Sequence, residues 1–232
     1  MDLALFDLDN TLLAGDSDHM WGQFLVTEGI VDGATYEREN DRFYEQYKAG
    51  ELDVEAYQHF TLQPLVNNPP QRMLALRERF VREHIEPIVA RHAPALLESH
   101  RKRGDCLVII TATNRFVTEP IAALLGIEHL LATELEQIEG RYTGNVSGVA
   151  CFQAGKIERL AEWRATQTQQ FRRTCFYSDS HNDLPLLREV DQPIAVDPDA
   201  TLISAAKAAS WPIISLRGAE PPAFQPDVQP AR

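Results

Sequence analysis

The amino-acid sequence predicts an α/β fold in which a parallel sheet carries helices on its faces and a second, helical unit is inserted behind the first strand. Three observations predict it. Short apolar runs bounded by turn residues recur at residues 3–6, 106–110, 129–132, 174–177, 194–196 and 212–214, the mark of buried strands. From Cys106 onward these runs alternate with helical stretches, the order that builds a parallel sheet. Between the first run and the second lie about a hundred residues without a strand signal, far beyond the usual connection within an α/β unit, so a separate folded piece stands there.

The elements follow in order. Leu3-Ala4-Leu5-Phe6 is the first strand. Behind it Trp21, Phe24 and Leu25, then Phe43, Tyr44 and Tyr47, then Val54, Tyr57 and Thr61 fall at spacings of three and four, which puts each set on one helical face. Gly29, Gly33 and Gly50 supply stops and Asp53 an N-cap. Residues 16–88 therefore read as a helical insert, and residues 1–15 with 89–216 as the core domain. Pro94 suits the first turn of a helix that Gly104 ends, feeding the second strand; Asn114 caps the next helix and Gly126 stops it. Residues 139–144 have the turn chemistry of a hairpin. The last sixteen residues, 217–232, hold four of the fourteen prolines and no apolar period, and are expected to be a disordered tail.

Composition narrows the function. Acids outnumber bases by 34 to 22, a formal charge of −12, which argues against a nucleic-acid binder that neutralises phosphates along a duplex. No apolar run is long enough for a membrane span, and Met1 leads into Asp2 without a basic, apolar leader, so a cytoplasmic chain is expected. Cys106, Cys151 and Cys175 are an odd count without a CxxC pair, and the seven histidines show no metal-site spacing; neither a disulfide framework nor a zinc site is expected.

The chemistry sits at strand ends. The first strand runs into Asp7-Leu8-Asp9-Asn10-Thr11, delivering two carboxylates to the edge where open α/β sheets bind ligands. Like charges that close are costly unless a cation sits between them or one stays protonated, so the pair asks for Mg²⁺ or for divided acid and nucleophile roles. The second strand ends in Thr111-Ala112-Thr113-Asn114 at a helix start, where a hydroxyl and free N–H groups form a phosphate cradle or, more plainly, a helix cap. Lys156 stands at another helix start, where a cation opposes the dipole and points to an anion nearby. A later strand runs into Asp179-Ser180-His181-Asn182-Asp183, a second acidic strand end.

This double Asp, Thr, Lys and paired Asp, taken in one order, resembles the haloacid dehalogenase (HAD) superfamily, and the helical insert after the first strand is similar to the type 1 cap of its phosphoserine-phosphatase-like branch. The resemblance covers residues 2–214 and implies a HAD-like Rossmannoid three-layer core beneath that cap. It also implies a phosphomonoesterase with Asp7 as nucleophile and Asp9 as general acid and base. Mg²⁺ would be held by Asp7, Asp179 and the Asp9 carbonyl, with Asp183 behind them; Thr111, the Ala112 N–H, Lys156 and Asn182 would serve the phosphate and its loop. Ser178 and Ser180 replace the two glycines usual in the last motif, which bears on loop flexibility and leaves the acids in place.

By the same resemblance the cap chooses the substrate. Asp16 stands where phosphoserine phosphatases carry a Glu that grips the ammonium, and it equally suits a helix N-cap. The Arg those enzymes use for the substrate carboxylate maps to about Thr61, and no Arg occurs from Phe43 to Gln71; a buried carboxylate without that partner is costly. An amine-bearing ester without a carboxylate fits better. The stretches Gly15-Asp16-Ser17-Asp18-His19 and 109–115 are similar to those of branch members that hydrolyse histidinol phosphate. His19 or Trp21 then stands as a stacking partner for an imidazole or as cap core. Phosphoserine, phosphoethanolamine and, more remotely, a sugar-phosphate mutase reaction stay open, as does a binding protein on the same fold. Residues 16–71 hold eleven acids and three bases, so most of the negative charge lies in the insert, in keeping with an ammonium-bearing small phosphorylated metabolite.

Overall fold

The computed structural model describes residues 1–222. Strand β1 (Leu3–Phe6) is followed by helices α1 (Ser17–Thr27), α2 (Gly33–Ala49), α3 (Val54–Asn67) and α4 (Pro70–Phe80). The chain then forms α5 (Ala93–Arg103), β2 (Cys106–Asn114), α6 (Arg115–Leu124), β3 (His129–Thr133), β4 (Leu135–Ile138), β5 (Arg141–Val146) and α7 (Ala154–Thr166). It closes with β6 (Thr174–Ser178), α8 (Leu184–Leu187), β7 (Gln192–Val196), α9 (Ala200–Ala209) and β8 (Ile213–Ile214). Six strands make one sheet in the order β3-β2-β1-β6-β7-β8, and every pairing in it is parallel.

β1 is central, which explains why it is apolar at every position. Leu3 and Leu5 face one core with residues of α7, α8 and α9, including Leu160, Leu187 and Leu202. Ala4 and Phe6 face the other, with Leu96 of α5 and Phe116 and Ile121 of α6. Helices thus cover both faces, the α/β arrangement of three layers. The hairpin β4–β5 stands apart as a two-stranded antiparallel sheet; its turn residues Glu139 and Gly140 both have positive φ, at 51° and 75°, as a tight primed turn requires.

The insert is helical throughout. Asp16 and Asp53 cap α1 and α3 with their side chains, and Gly50 ends α2 at φ 74°. Gly33, expected as a stop, is instead the first residue of α2 behind Asp32; a glycine near a helix end fits either side of the boundary. The expected tail also starts later than its prolines suggest. Leu216 is fully buried, and the Arg217 guanidinium donates to the carbonyls of Asn10 and Leu13, so both residues are held to the core. The rest of that expectation, residues 223–232, lies outside the described residues. The three cysteines are free, and burial pushes the Cys151 and Cys175 thiols up to about 12. Among the described residues no helix is long and apolar enough to cross a membrane.

Candidate active site

Asp7 follows β1 directly, where β2 and β6 lead into opposite halves of the sheet, the crevice in which open α/β sheets take ligands. Its N–H continues the ladder by donating to the Tyr177 carbonyl at 2.9 Å, which fixes the carboxylate's origin. Lys156 Nζ donates to Asp7 Oδ1 at 2.9 Å and to Asp183 Oδ2 at 2.7 Å. Ser178 Oγ donates to that same Asp183 oxygen at 2.7 Å. The Thr11 hydroxyl lies 3.3 Å from Asp7 Oδ2 and 3.0 Å from Asp179 Oδ1, and it accepts from the Asp179 N–H at 3.0 Å. The acids from two strand ends are therefore tied through one hydroxyl and one ammonium.

The charge balance at this end is unequal. Burial holds both Asp7 and Asp179 above the usual carboxylate range; Lys156 pulls Asp7 back, while Asp183 and Asp9 push it up, and Asp7 itself pushes Asp179. Burial works against the Lys156 ammonium, but Asp183 and Asp7 outweigh it and hold that group charged. Lys156 owes its position to Gly155. A Cβ there would stand 2.1 Å from the Ala150 carbonyl oxygen, so only glycine lets the start of α7 close on that loop.

Asp9 has a different environment. Its Oδ1 accepts from the Ser17 N–H at 2.6 Å, at the start of α1, and its Oδ2 accepts from Thr113 Oγ1 at 2.8 Å. Burial first, then the like charge of Asp16, pushes it up to about 6 against those bonds. A carboxyl so placed exchanges a proton near neutral pH.

Both acids open into one cavity, floored by Thr111, Ala112 and Thr113 and roofed by α1, α2 and α3 with His19, Tyr44, Tyr47, Tyr57 and Gln58. Asp16 and Asp18 line it as well. Asp16 Oδ1 accepts from the Asp18 and His19 N–H groups at 3.0 and 2.8 Å, so it caps α1 and faces the cavity at once. Asp18 Oδ2 accepts from the Tyr57 hydroxyl at 2.6 Å. Burial pushes each of these carboxyls up to about 7. His19 stacks on Tyr44 with ring centroids 4.5 Å apart, and burial lowers its pKa. Among the described residues lining the cavity there is no arginine.

The structure thus brings together Asp7, Asp9, Asp16, His19, Thr111, Ala112, Lys156, Asp179 and Asp183. Two residues fall elsewhere. Trp21 is 3 % exposed and packs against Phe24, Phe80 and Phe116 at centroid distances of 5.6, 5.2 and 5.9 Å. It lies two residues beyond His19, about 200° round the helix, and is interior packing, not a stacking partner for a ligand. Asn182 does not line the cavity: its Nδ2 donates to the Tyr47 carbonyl at 3.0 Å and its Oδ1 accepts from Gln153 at 3.1 Å, so it clasps α2 to the core. Thr61, the position matched to the missing arginine and not itself an expected site residue, is also buried off the cavity, donating to the Gln58 carbonyl at 3.3 Å.

Sequence reasoning missed Thr11, Thr113, Tyr47, Tyr57 and Gln58. A strand's period of two places Thr113 on the face of Thr111, a signal present in the sequence. For Thr11, four residues after Asp7 in an irregular turn, and for Gln58 no comparable signal exists; spacing marks Tyr47 and Tyr57 as inward-facing without telling cavity from packing.

With this geometry the comparisons with known proteins agree. The model of the haloacid dehalogenase-like hydrolase family matches residues 4–188, and the chain belongs to that family. It is 42 % identical over 219 residues to a histidinol-phosphatase of Neisseria meningitidis serogroup C, covering 93 % of this chain and 99 % of that protein. A solved structure of a protein of unknown function from Bordetella pertussis Tohama I is 42 % identical, with a TM-score of 0.88 over 93 % of this chain and 98 % of that one. A substrate-bound phosphoserine phosphatase shares the fold at a TM-score of 0.65 and 18 % identity, covering 94 % of each chain.

Proposed function

We propose that this chain is a Mg²⁺-dependent phosphomonoesterase that hydrolyses histidinol phosphate through a phosphoaspartate at Asp7. The observation that carries the reading is the polarity of one cavity. Its core end gathers Asp7, Asp9 and Thr111, with Lys156 on the Asp7 carboxylate, while its cap end presents Asp16, Asp18 and aromatic rings with no arginine among the described residues. The first end suits a phosphoryl group and the second an ammonium beside a ring. The 42 % identity to a histidinol-phosphatase supports the same substrate. That no arginine stands among the described lining residues to meet a substrate carboxylate speaks against phosphoserine.

The reaction follows from the residues. Asp7 attacks phosphorus in line with the ester oxygen; the bond from phosphorus to that oxygen breaks as the protonated form of Asp9, whose carboxyl is raised to about 6, gives its proton to the departing alcohol. Asp9, now ionised, takes a proton from water, which attacks the phosphoaspartate and frees Asp7 and phosphate. The Thr111 hydroxyl and the Ala112 N–H hold phosphoryl oxygens, and the Lys156 ammonium favours the ionised form of Asp7 against its burial and offsets the developing charge.

A divalent cation fits this donor set. Asp7 and Asp179 are joined through Thr11 and share buried negative charge that Lys156 alone does not balance. Among the described residues no group of three or more acid, His or Cys side chains converges into a cage, and Mg²⁺ asks for none, since it takes one or two carboxylates with water and phosphate oxygens. Asp7, Asp179 and the Asp9 carbonyl would hold it, and when bound it supplies charge neutralisation at the transferring phosphoryl group. The test is phosphate release from histidinol phosphate, phosphoethanolamine and phosphoserine, with Mg²⁺ and after chelation. The expected result is a kcat/KM for histidinol phosphate at least about tenfold above the others, abolished by the chelator. Preference for phosphoserine would overturn the reading.

A further inference from the structure

One buried group in the cavity lacks a partner. Gln58 lies on the face of α3 that also carries Val54 and Tyr57 into the cavity, and it is 5 % exposed. Its Oε1 is buried with no hydrogen-bond donor among the described residues. Buried acceptors are nearly always satisfied in folded proteins, so an unsatisfied one at a ligand site calls for a donor from the ligand.

Two donors on the same cavity wall are already engaged elsewhere. The Tyr57 hydroxyl donates to Asp18, and the Asn40 amide faces the His19 carbonyl at 3.0 Å and its Nδ1 at 3.1 Å. The acceptors lining the cap end of the cavity divide by charge. Asp16 and Asp18 are carboxylic groups suited to an ammonium, whereas the Gln58 carbonyl is neutral and suits a neutral N–H. The rings of Phe43, Tyr47 and Tyr57 line the same cavity, which favours a flat, aromatic bearer of that N–H.

We propose that Gln58 is a specificity-determining residue whose Oε1 accepts the ring N–H of the substrate's heterocycle, so that the site takes phosphate esters carrying both an ammonium and an N–H heteroaromatic ring. The assignment rests on the histidinol phosphate reading above. Gln58 touches neither the reacting phosphorus nor the leaving oxygen in this scheme, so it acts on binding and leaves turnover alone.

The experiment measures kcat and KM for histidinol phosphate and for phosphoethanolamine, which keeps the ammonium and the phosphate and lacks the ring, in the wild type, Gln58→Leu and Gln58→Glu. Gln58→Leu is expected to raise KM for histidinol phosphate about tenfold, with kcat and both phosphoethanolamine constants within about twofold. Gln58→Glu keeps an acceptor in the same shape and adds charge. Its KM for histidinol phosphate is expected to stay near the wild-type value when the ring is neutral and to fall below it as pH drops through about 6.5, where an imidazole ionises, without a parallel change for phosphoethanolamine. Equal shifts for the two esters in the folded variants, or no shift for either, would overturn the role of Gln58 and leave the histidinol phosphate reading standing. A wild type that hydrolyses phosphoethanolamine but not histidinol phosphate would overturn both. Should Gln58→Leu fail to fold, the pH response of Gln58→Glu decides alone.

Discussion

The two ends of the cavity are built on different terms. At the core end the polar groups are cross-braced before any ligand arrives: Lys156 on Asp7 and Asp183, Ser178 on Asp183, Thr11 between Asp7 and Asp179, Thr113 on Asp9. At the cap end Asp18 is braced by Tyr57, but Asp16 spends only Oδ1 on its helix and Gln58 Oε1 has no partner among the described residues. Preorganised dipoles are what a transition state needs, since reorienting them during the reaction raises the barrier. Unspent acceptors are what recognition needs, since a ligand that matches them is bound and one that does not leaves them buried and unpaired. The difference separates chemistry, held by the sheet, from selection, held by the helices above it.

The most severe way to break that separation is at the core end. Asp7→Asn keeps the shape of the side chain and removes the nucleophile; turnover of every ester is expected to fall on the order of 10⁴-fold or more, with the thermal midpoint retained. A loss confined to histidinol phosphate would show that Asp7 selects substrate. Next comes Trp21, which the structure assigns to packing. Trp21→Ala should cost about 3–5 kcal/mol in denaturant unfolding, while KM for histidinol phosphate in the folded fraction stays within about threefold. A large rise in KM at unchanged stability would restore Trp21 to the site.

A smaller effect concerns pH. The Asp18 carboxyl is raised from 3.8 to about 7, by burial first, against the hydrogen bond from Tyr57 and with Asp9 adding to it. A folded state that holds a proton more tightly than the unfolded chain has this stabilisation in full below about pH 4 and loses it as pH rises through about 7. Metal-free wild-type protein should therefore lose stability between about pH 5 and pH 8, and Asp18→Asn should shrink that loss by on the order of 2–4 kcal/mol. Urea midpoints at the two pH values check it, and identical slopes in the two proteins would contradict the burial of an ionisable Asp18.

The same division explains what was legible in the sequence. A strand end is a fixed point: Leu3–Phe6 is apolar on both faces because β1 is central, so the acids after it had to emerge at the sheet's edge, and Thr111 late in β2 and Asp179 after β6 emerge beside them. Lys156 announced itself as a cation against a helix dipole. In the insert, a spacing of three and four identifies an inward face but not which part of it meets packing and which meets the cavity. Phe43, Tyr44 and Tyr47 all turned inward and line the cavity, while Trp21 turned inward into a cluster with Phe80 and Phe116. Gln58 carries no sequence signal at all, because an unpaired amide oxygen becomes visible only once the fold surrounds it.

Asp16 offers the most direct test, because it lies at the cap end and its substitution by Asn preserves the helix cap, Asn being as good an N-cap as Asp. The measurement is kcat/KM of wild type and Asp16→Asn for histidinol phosphate and for a simple alkyl phosphate with no amine. If the cap end selects and the core end reacts, the value for histidinol phosphate falls by about ten- to a hundredfold and that for the alkyl phosphate changes by less than about twofold. An equal fall for both esters, or none for either, would contradict the separation of the two ends.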